Sequence, residues 1–160
     1  MTGTSVIDLT IGDDAPTFYV VEVHGQPKAL PRSRHFRRGF FHPARREMAA
    51  FKATVLDGIP VTVPFAKGVP VCMELEFYMR RPNTDFKNNN RNGVLKSNLQ
   101  QARPTIPDID NLVKFVLDSL NGVLYCDDRQ VVKVTAVKLL DNKQGCNGSR
   151  TVIKCYKYHN

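Results

Sequence analysis

Five of the 15 acidic residues in this 160-residue chain fall between positions 108 and 128: Asp108, Asp110, Asp118, Asp127 and Asp128. Like charges gathered in this way repel and raise one another's pKa. A hard cation among them removes that cost. Mg²⁺ takes oxygen ligands and keeps several waters, so two or three carboxylates beside phosphate oxygens suffice. The plainer alternative is a helix start dressed with favourable acids, followed by an Asp-Asp turn. The charge of the whole chain tilts the choice, since it is +8 at pH 7 while the acids concentrate here. An acidic pit in a basic protein is the layout of a nuclease, with basic surface for the phosphate backbone and a metal in the pit to attack one phosphate.

The elements that must position these acids follow from the spacing. Apolar residues at 109, 112, 113, 116, 117 and 120 predict one buried helix stripe. Asp110, Asn111, Lys114 and Asp118 fall on the opposite face. Asp108 or Asp110 is placed to cap the first turn, and Asn121-Gly122 to end the helix. Before the helix begins, Asp108 and Asp110 point to the same side of an extended segment. Lys114 lies one turn past Asp110, in reach of the same phosphate or of an i,i+4 ion pair. Asp118 pairs with Lys114 at the next turn, and Asp127 orients Asp128 or caps a turn. Phe115 sits near the polar face with no evident core duty, which suggests an interface or DNA contact. Gln130-Val131-Val132 reads as the start of a strand.

The remaining chain frames this stretch. Residues 1–15 read as a flexible tail, and residues 16–160 as a single domain large enough for a core. Thr17 to Val23 predicts a first strand. Residues 28–46 hold Lys28, Arg32, Arg34, Arg37, Arg38, Arg45 and Arg46 without one acid, interleaved with Phe36, Phe40 and Phe41. That suits backbone contact with base or sugar stacking, with at least one phenylalanine left to the core. His35 and His42 fit phosphate contacts better than general bases. Pro43 opens a helix through about Leu56, ended by Asp57-Gly58. Val69 to Met79 alternates as a half-buried strand.

Residues 80–106 form the longest irregular stretch, with Arg80, Arg81, Lys87, Arg91, Lys96 and Arg103 against Asp85 alone. Its asparagines, glycine and prolines argue against a packed core and for a basic loop that embraces DNA and orders on binding. Val131 to Leu140 then forms a strand, and Thr151 to Tyr156 returns as its expected hairpin partner. The order β-α-β-α-β-β indicates an α+β domain, a mixed sheet covered by two helices. No apolar run nears the ~20 residues of a membrane span. The acidic N-terminus resembles neither a signal nor a transit peptide. Cys72 and Cys155 read as free buried thiols of an intracellular, unsecreted protein, and no CxxC pairing points to zinc.

Asp-Ile-Asp-Asn-Leu-Val-Lys, then Asp-Ser-Leu-Asn-Gly, then Asp-Asp-Arg-Gln-Val-Val resembles the core signature of the RusA family of Holliday junction resolvases. The order and gaps match throughout. The resemblance implies a small homodimeric endonuclease that depends on Mg²⁺, with Mn²⁺ able to substitute, and that cuts four-way DNA junctions in recombination and repair. It implies Asp108, Asp110 and Asp128 as metal-binding carboxylates and Lys114 as the catalytic lysine. Asn111, Asp118 and Asp127 are the supporting residues. The basic first loop also looks like the family's, and one branch carries a similar Lys/Asn/Gly-rich insertion at 80–106. Two departures stand out: Thr105-Ile106 and Cys126 occupy positions where members often carry lysines. A non-catalytic branched-DNA-binding protein, or a nuclease for forks or flaps, is the competing reading.

Overall fold

The computed structural model describes residues 18–30, 44–59, 65–141 and 148–159 in full and the backbone of residues 4–8. The elements are β1 (Thr4–Asp8), β2 (Phe18–His24), α1 (Arg45–Gly58), β3 (Val71–Met79), α2 (Ile109–Leu120), β4 (Val131–Leu140) and β5 (Arg150–Lys157). The five strands form one mixed sheet in the order β1-β2-β5-β3-β4. The α+β expectation holds, and the sheet gains a strand: β1, inside the expected tail, pairs antiparallel with β2.

The hairpin expected between β4 and β5 does not form. β5 lies between β2 and β3, antiparallel to both, while β4 runs parallel to β3 at the sheet edge. A parallel pair needs a long crossover, and the 80–106 stretch with α2 is that crossover. β5 alternates buried and half-buried residues along its length, the pattern of a strand flanked on both edges.

Alternation sorts the faces. Tyr19, Val21, Val23, Met73, Leu75, Phe77, Met79, Ile153 and Cys155 join the core with α1 and α2. The opposite sheet face carries several paired polar groups. Tyr78 donates to Glu76 at 2.7 Å and Tyr156 to Glu74 at 2.8 Å, and the Arg150 guanidinium stacks on Tyr78 at 3.8 Å. The Glu74 carboxylate raises the Tyr156 phenol to about 12, and the Tyr78 hydroxyl holds Glu76 below its ordinary value.

Burial pushes the Cys155 thiol up to about 12. Cys72 is also free and buried, whereas Cys126 is exposed. Iodoacetamide at mildly alkaline pH is therefore expected to label Cys126 in the folded protein and to reach Cys72 and Cys155 only after denaturation. Peptide mass spectrometry reads this directly, and labelling of native Cys155 would contradict its placement.

The buried face of α2 differs from the expected stripe. Leu112, Phe115, Val116, Ser119 and Leu120 are buried, while Ile109 is exposed and Val113 and Leu117 are half-buried. Phe115 is a core residue, 1% exposed and packed edge-on against Phe51 of α1 at 5.4 Å. The reason is that α2 has two neighbours. It rests on α1 through one face and leans on β4 through another, so the apolar positions divide between them.

The 80–106 stretch is folded as well. Asn83–Asp85 and Lys87–Asn89 form short 3₁₀ turns, with Asn88 and Asn89 at positive φ, a conformation asparagine tolerates better than most residues. Phe86 is buried and forms an isolated bridge with Leu95. Next to it in sequence, Asp85 accepts from Arg81 at 3.0 Å and from Arg103 at 2.9 Å. A buried ion-pair cluster thus supplies the packed centre that composition argued against.

Candidate active site

α2 and the chain entering β4 carry the acids. Asp108 occupies the N-cap position of α2 in extended conformation, and its carboxylate makes no capping hydrogen bond. That weakens the reading of these acids as helix caps. Asp110 follows in the first turn, with Lys114 and Asp118 one and two turns further along. Gly122, at φ +72°, stops the helix as expected, and the Lys52 ammonium meets the Asn121 carbonyl at 3.3 Å.

The chain then returns toward α2. Tyr125 is fully buried and donates to the Leu117 carbonyl at 2.9 Å. Burial raises its phenol pKa, and the nearby charges of Cys155, Asp128 and Asp118 add to this. Residues 128–130 form a 3₁₀ turn instead of the strand start expected at Gln130, with Asp127 as its N-cap. The Asp127 carboxylate accepts from the Arg129 N–H at 3.0 Å. That bond is the main cause that holds Asp127 below its ordinary value.

Gln130 closes the box. Its Oε1 accepts from the Asp127 and Cys126 N–H groups at 3.1 and 2.9 Å, and its Nε2 donates to the Ala66 and Val69 carbonyls at 2.8 and 3.0 Å. Sequence reasoning passed over this residue, although the Asp-x-x-Gln spacing is a capping-box signal. Gln130→Ala is expected to cost about 2 kcal/mol through buried groups left unpaired. It should also loosen the Asp127-Asp128 turn and lower cleavage. A denaturant melt beside a cleavage assay checks both, and unchanged values in each would show that the turn holds itself.

These placements bring Asp110, Lys114, Asp118 and Asp128 to one open groove of about 560 Å³ between α2 and β4. Ile109, Val113, Leu117, Val134 and Ala136 complete its lining. Asp108 is not in the lining and stands one residue before the helix. Among the described residues, no ion pair engages Asp110, Lys114 or Asp118. The expected internal pairing of Lys114 is therefore absent, and its ammonium is exposed. No three acidic, histidine or cysteine side chains among the described residues are gathered tightly enough to hold an ion. The donors nevertheless fit a hard cation in kind: they are exposed carboxylate oxygens, and Mg²⁺ keeps part of its water shell. Asn111 is half-buried, and its carbonyl accepts from the Leu30 N–H at 2.9 Å. Leu30 is thereby held at the head of α2.

The basic residues sort by placement. Lys28, Arg80, Lys87 and Lys96 are exposed, with Lys96 donating to the Thr84 carbonyl at 2.6 Å, and Arg91 is half-buried. Arg81 is corrected from phosphate contact to internal counterion. It is 4% exposed and bonded to Asp85 and to the Asp141 and Gln100 carbonyls. Arg103 is drawn into the same cluster. Arg32, Arg34, Arg37 and Arg38 lie outside the described residues.

An acidic groove with an exposed lysine, set on a basic α+β domain, has the features of a nucleic-acid-cleaving enzyme. The family model for "Endodeoxyribonuclease RusA" matches residues 24–152. The chain is also 40% identical over 121 residues to "Uncharacterized protein YqaN" of Bacillus subtilis (strain 168), a match that covers 72% of this chain and 83% of the relative. The chain belongs to the RusA family of endodeoxyribonucleases, the enzymes of Holliday junction cleavage. Among the described residues no helix is long and apolar enough to cross a membrane.

Proposed function

We propose that this chain is a divalent-metal-dependent endonuclease that works as a homodimer to resolve four-way DNA junctions. The observation that carries the reading is the groove where Asp110, Lys114 and Asp118 of α2 meet Asp128 from the turn before β4. Asp108, Asp110 and Asp128 would hold Mg²⁺ or Mn²⁺. When bound, the ion makes hydroxide available near neutral pH and offsets charge at the scissile phosphate.

The protein's own residues do the rest. Lys114 holds the phosphate and steadies the negative charge that develops on it. Asp118 lines the same groove one turn further on and adds its negative charge to the field around that ammonium, and Asp127 fixes the turn that presents Asp128. Lys28, Arg80, Lys87, Arg91 and Lys96, together with the 31–43 tract, hold the flanking backbone, a contact that reads shape more than sequence. The symmetry of a four-way junction, with two equivalent strands to cut, matches a two-fold dimer. The free edge of β4 supports such a contact, since Val132, Val134 and Val137 are exposed there.

The test is cleavage of a synthetic four-way junction beside a linear duplex of the same arms, in Mg²⁺ and in EDTA. Symmetric nicks near the crossover that vanish in EDTA are the expected result. Equal cutting of the duplex would defeat the junction assignment, and preferential cutting of forks or flaps would transfer it to those substrates.

A further inference from the structure

The segment that delivers Asp108 to α2 has few attachments. Residues 102–107 bury no side chain, and Ile106 is 88% exposed. Upstream, the Gln101 carbonyl accepts from the Leu140 N–H of β4 at 2.7 Å. Between there and the helix, among the described residues, the backbone is bonded by one side chain. Lys138 of β4 donates to the Pro107 carbonyl at 2.8 Å and also to the Thr105 carbonyl. By strand alternation Lys138 shares a face with Val134 and Ala136, which line the groove. The lysine therefore ties the approach to Asp108 to the strand that forms the groove wall.

We propose that Lys138 is a positioning residue for the acidic site, its ammonium fixing where Asp108 enters the ligand set. An ammonium on a flexible stem has several N–H donors and no acceptor, which suits two carbonyls presented by one bend of chain. Burial does little to hold this segment: none of its side chains is fully buried, and Arg103, which pairs with Asp85, anchors only its upstream end. Lys138 is half-buried and engages both carbonyls that flank Ile106. The proposal rests on the reading of Asp108 as a metal ligand.

The test is Mn²⁺ binding to the free full-length protein, followed by electron paramagnetic resonance, together with the Mg²⁺ dependence of junction cleavage. Lys138→Met is expected to weaken Mn²⁺ binding by roughly tenfold, the scale seen when a group supporting a ligand is lost. It should raise the Mg²⁺ needed for half-maximal cleavage by a similar factor and leave junction affinity in EDTA unchanged. Lys138→Arg, which keeps donors on a long stem, should restore most of the loss, and it tests the same point independently of any folding defect in the methionine variant. In an Asp108→Asn background Lys138→Met should add little, because the ligand it positions is gone.

Unchanged Mn²⁺ binding in Lys138→Met would overturn the proposal, as would full additivity with Asp108→Asn. A loss confined to junction affinity would also overturn it and make Lys138 a phosphate contact. If the wild-type protein binds no Mn²⁺ and cuts nothing, the metal-nuclease reading fails and takes this proposal with it. Wild-type binding with an unaltered variant overturns the role of Lys138 alone.

Discussion

Asp110→Asn is expected to lower junction cleavage by about three orders of magnitude, the scale of losing several kcal/mol of charge stabilisation at about 1.4 kcal/mol per tenfold. Asp110 is exposed in the first turn of α2 and lines the groove with Lys114, Asp118 and Asp128. Among the described residues its carboxylate is in no ion pair. Its loss therefore disturbs no packing, and asparagine preserves its shape. What disappears is a negative charge available to a cation. Junction binding should persist and rise slightly, because one acid that repels phosphate is gone. Single-turnover cleavage beside a gel-shift titration separates the two effects. Asp118→Asn, which removes a supporting group, should lose only about tenfold. Full activity in Asp110→Asn would move the site away from α2.

Asp85→Ala is expected to destabilise the protein by about 3–5 kcal/mol, the cost of leaving a buried charge without its partner. For a domain of this size that corresponds to a fall in Tm of roughly 10 °C. The Arg81 side chain is 3% exposed, Asp85 5% and Arg103 29%. Asp85 binds both guanidiniums, and Arg81 also reaches the Gln100 and Asp141 carbonyls. The cluster therefore clasps the start of the loop, its return arm and the end of β4. The double change Arg81→Met with Asp85→Leu should recover much of the lost stability, since apolar side chains of similar volume often replace a buried pair at little cost. Cleavage should fall with Asp85→Ala because the return arm leads to Asp108. A calorimetric melt decides the point, and an unchanged Tm would mean that the cluster stabilises nothing on balance.

Local pattern exposed much of this architecture. The alternation of residues 71–79 was readable because a strand's burial has a period of two and depends on near neighbours, and the span of β4 because Val131 to Leu140 is a run rich in β-branched and apolar residues. The acidic stretch was readable because its residues are close in sequence. Pairing was not: whether β5 joins β4 or slips between β2 and β3 depends on contacts that span the chain. Phe115 was misjudged for a related reason, since periodicity defines one apolar stripe but does not say that α2 packs against both a helix and a strand.

The sequence by itself determined the acid set Asp108, Asp110, Asp118 and Asp128, the lysine one turn after Asp110, and the basic balance around them. These are properties of composition and short-range spacing. Tertiary structure alone decided which charges are free to act. Arg81 and Arg103 carry the same charge as Arg80, yet Asp85 draws them inward while Arg80 stays exposed. Lys138 reads as an ordinary strand lysine until β4 passes beneath the segment that leads to Asp108. A charge acquires its role from what folding brings within hydrogen-bond distance, and those partners lie from four residues away, as Asp85 does from Arg81, to more than thirty, as the Thr105 and Pro107 carbonyls do from Lys138.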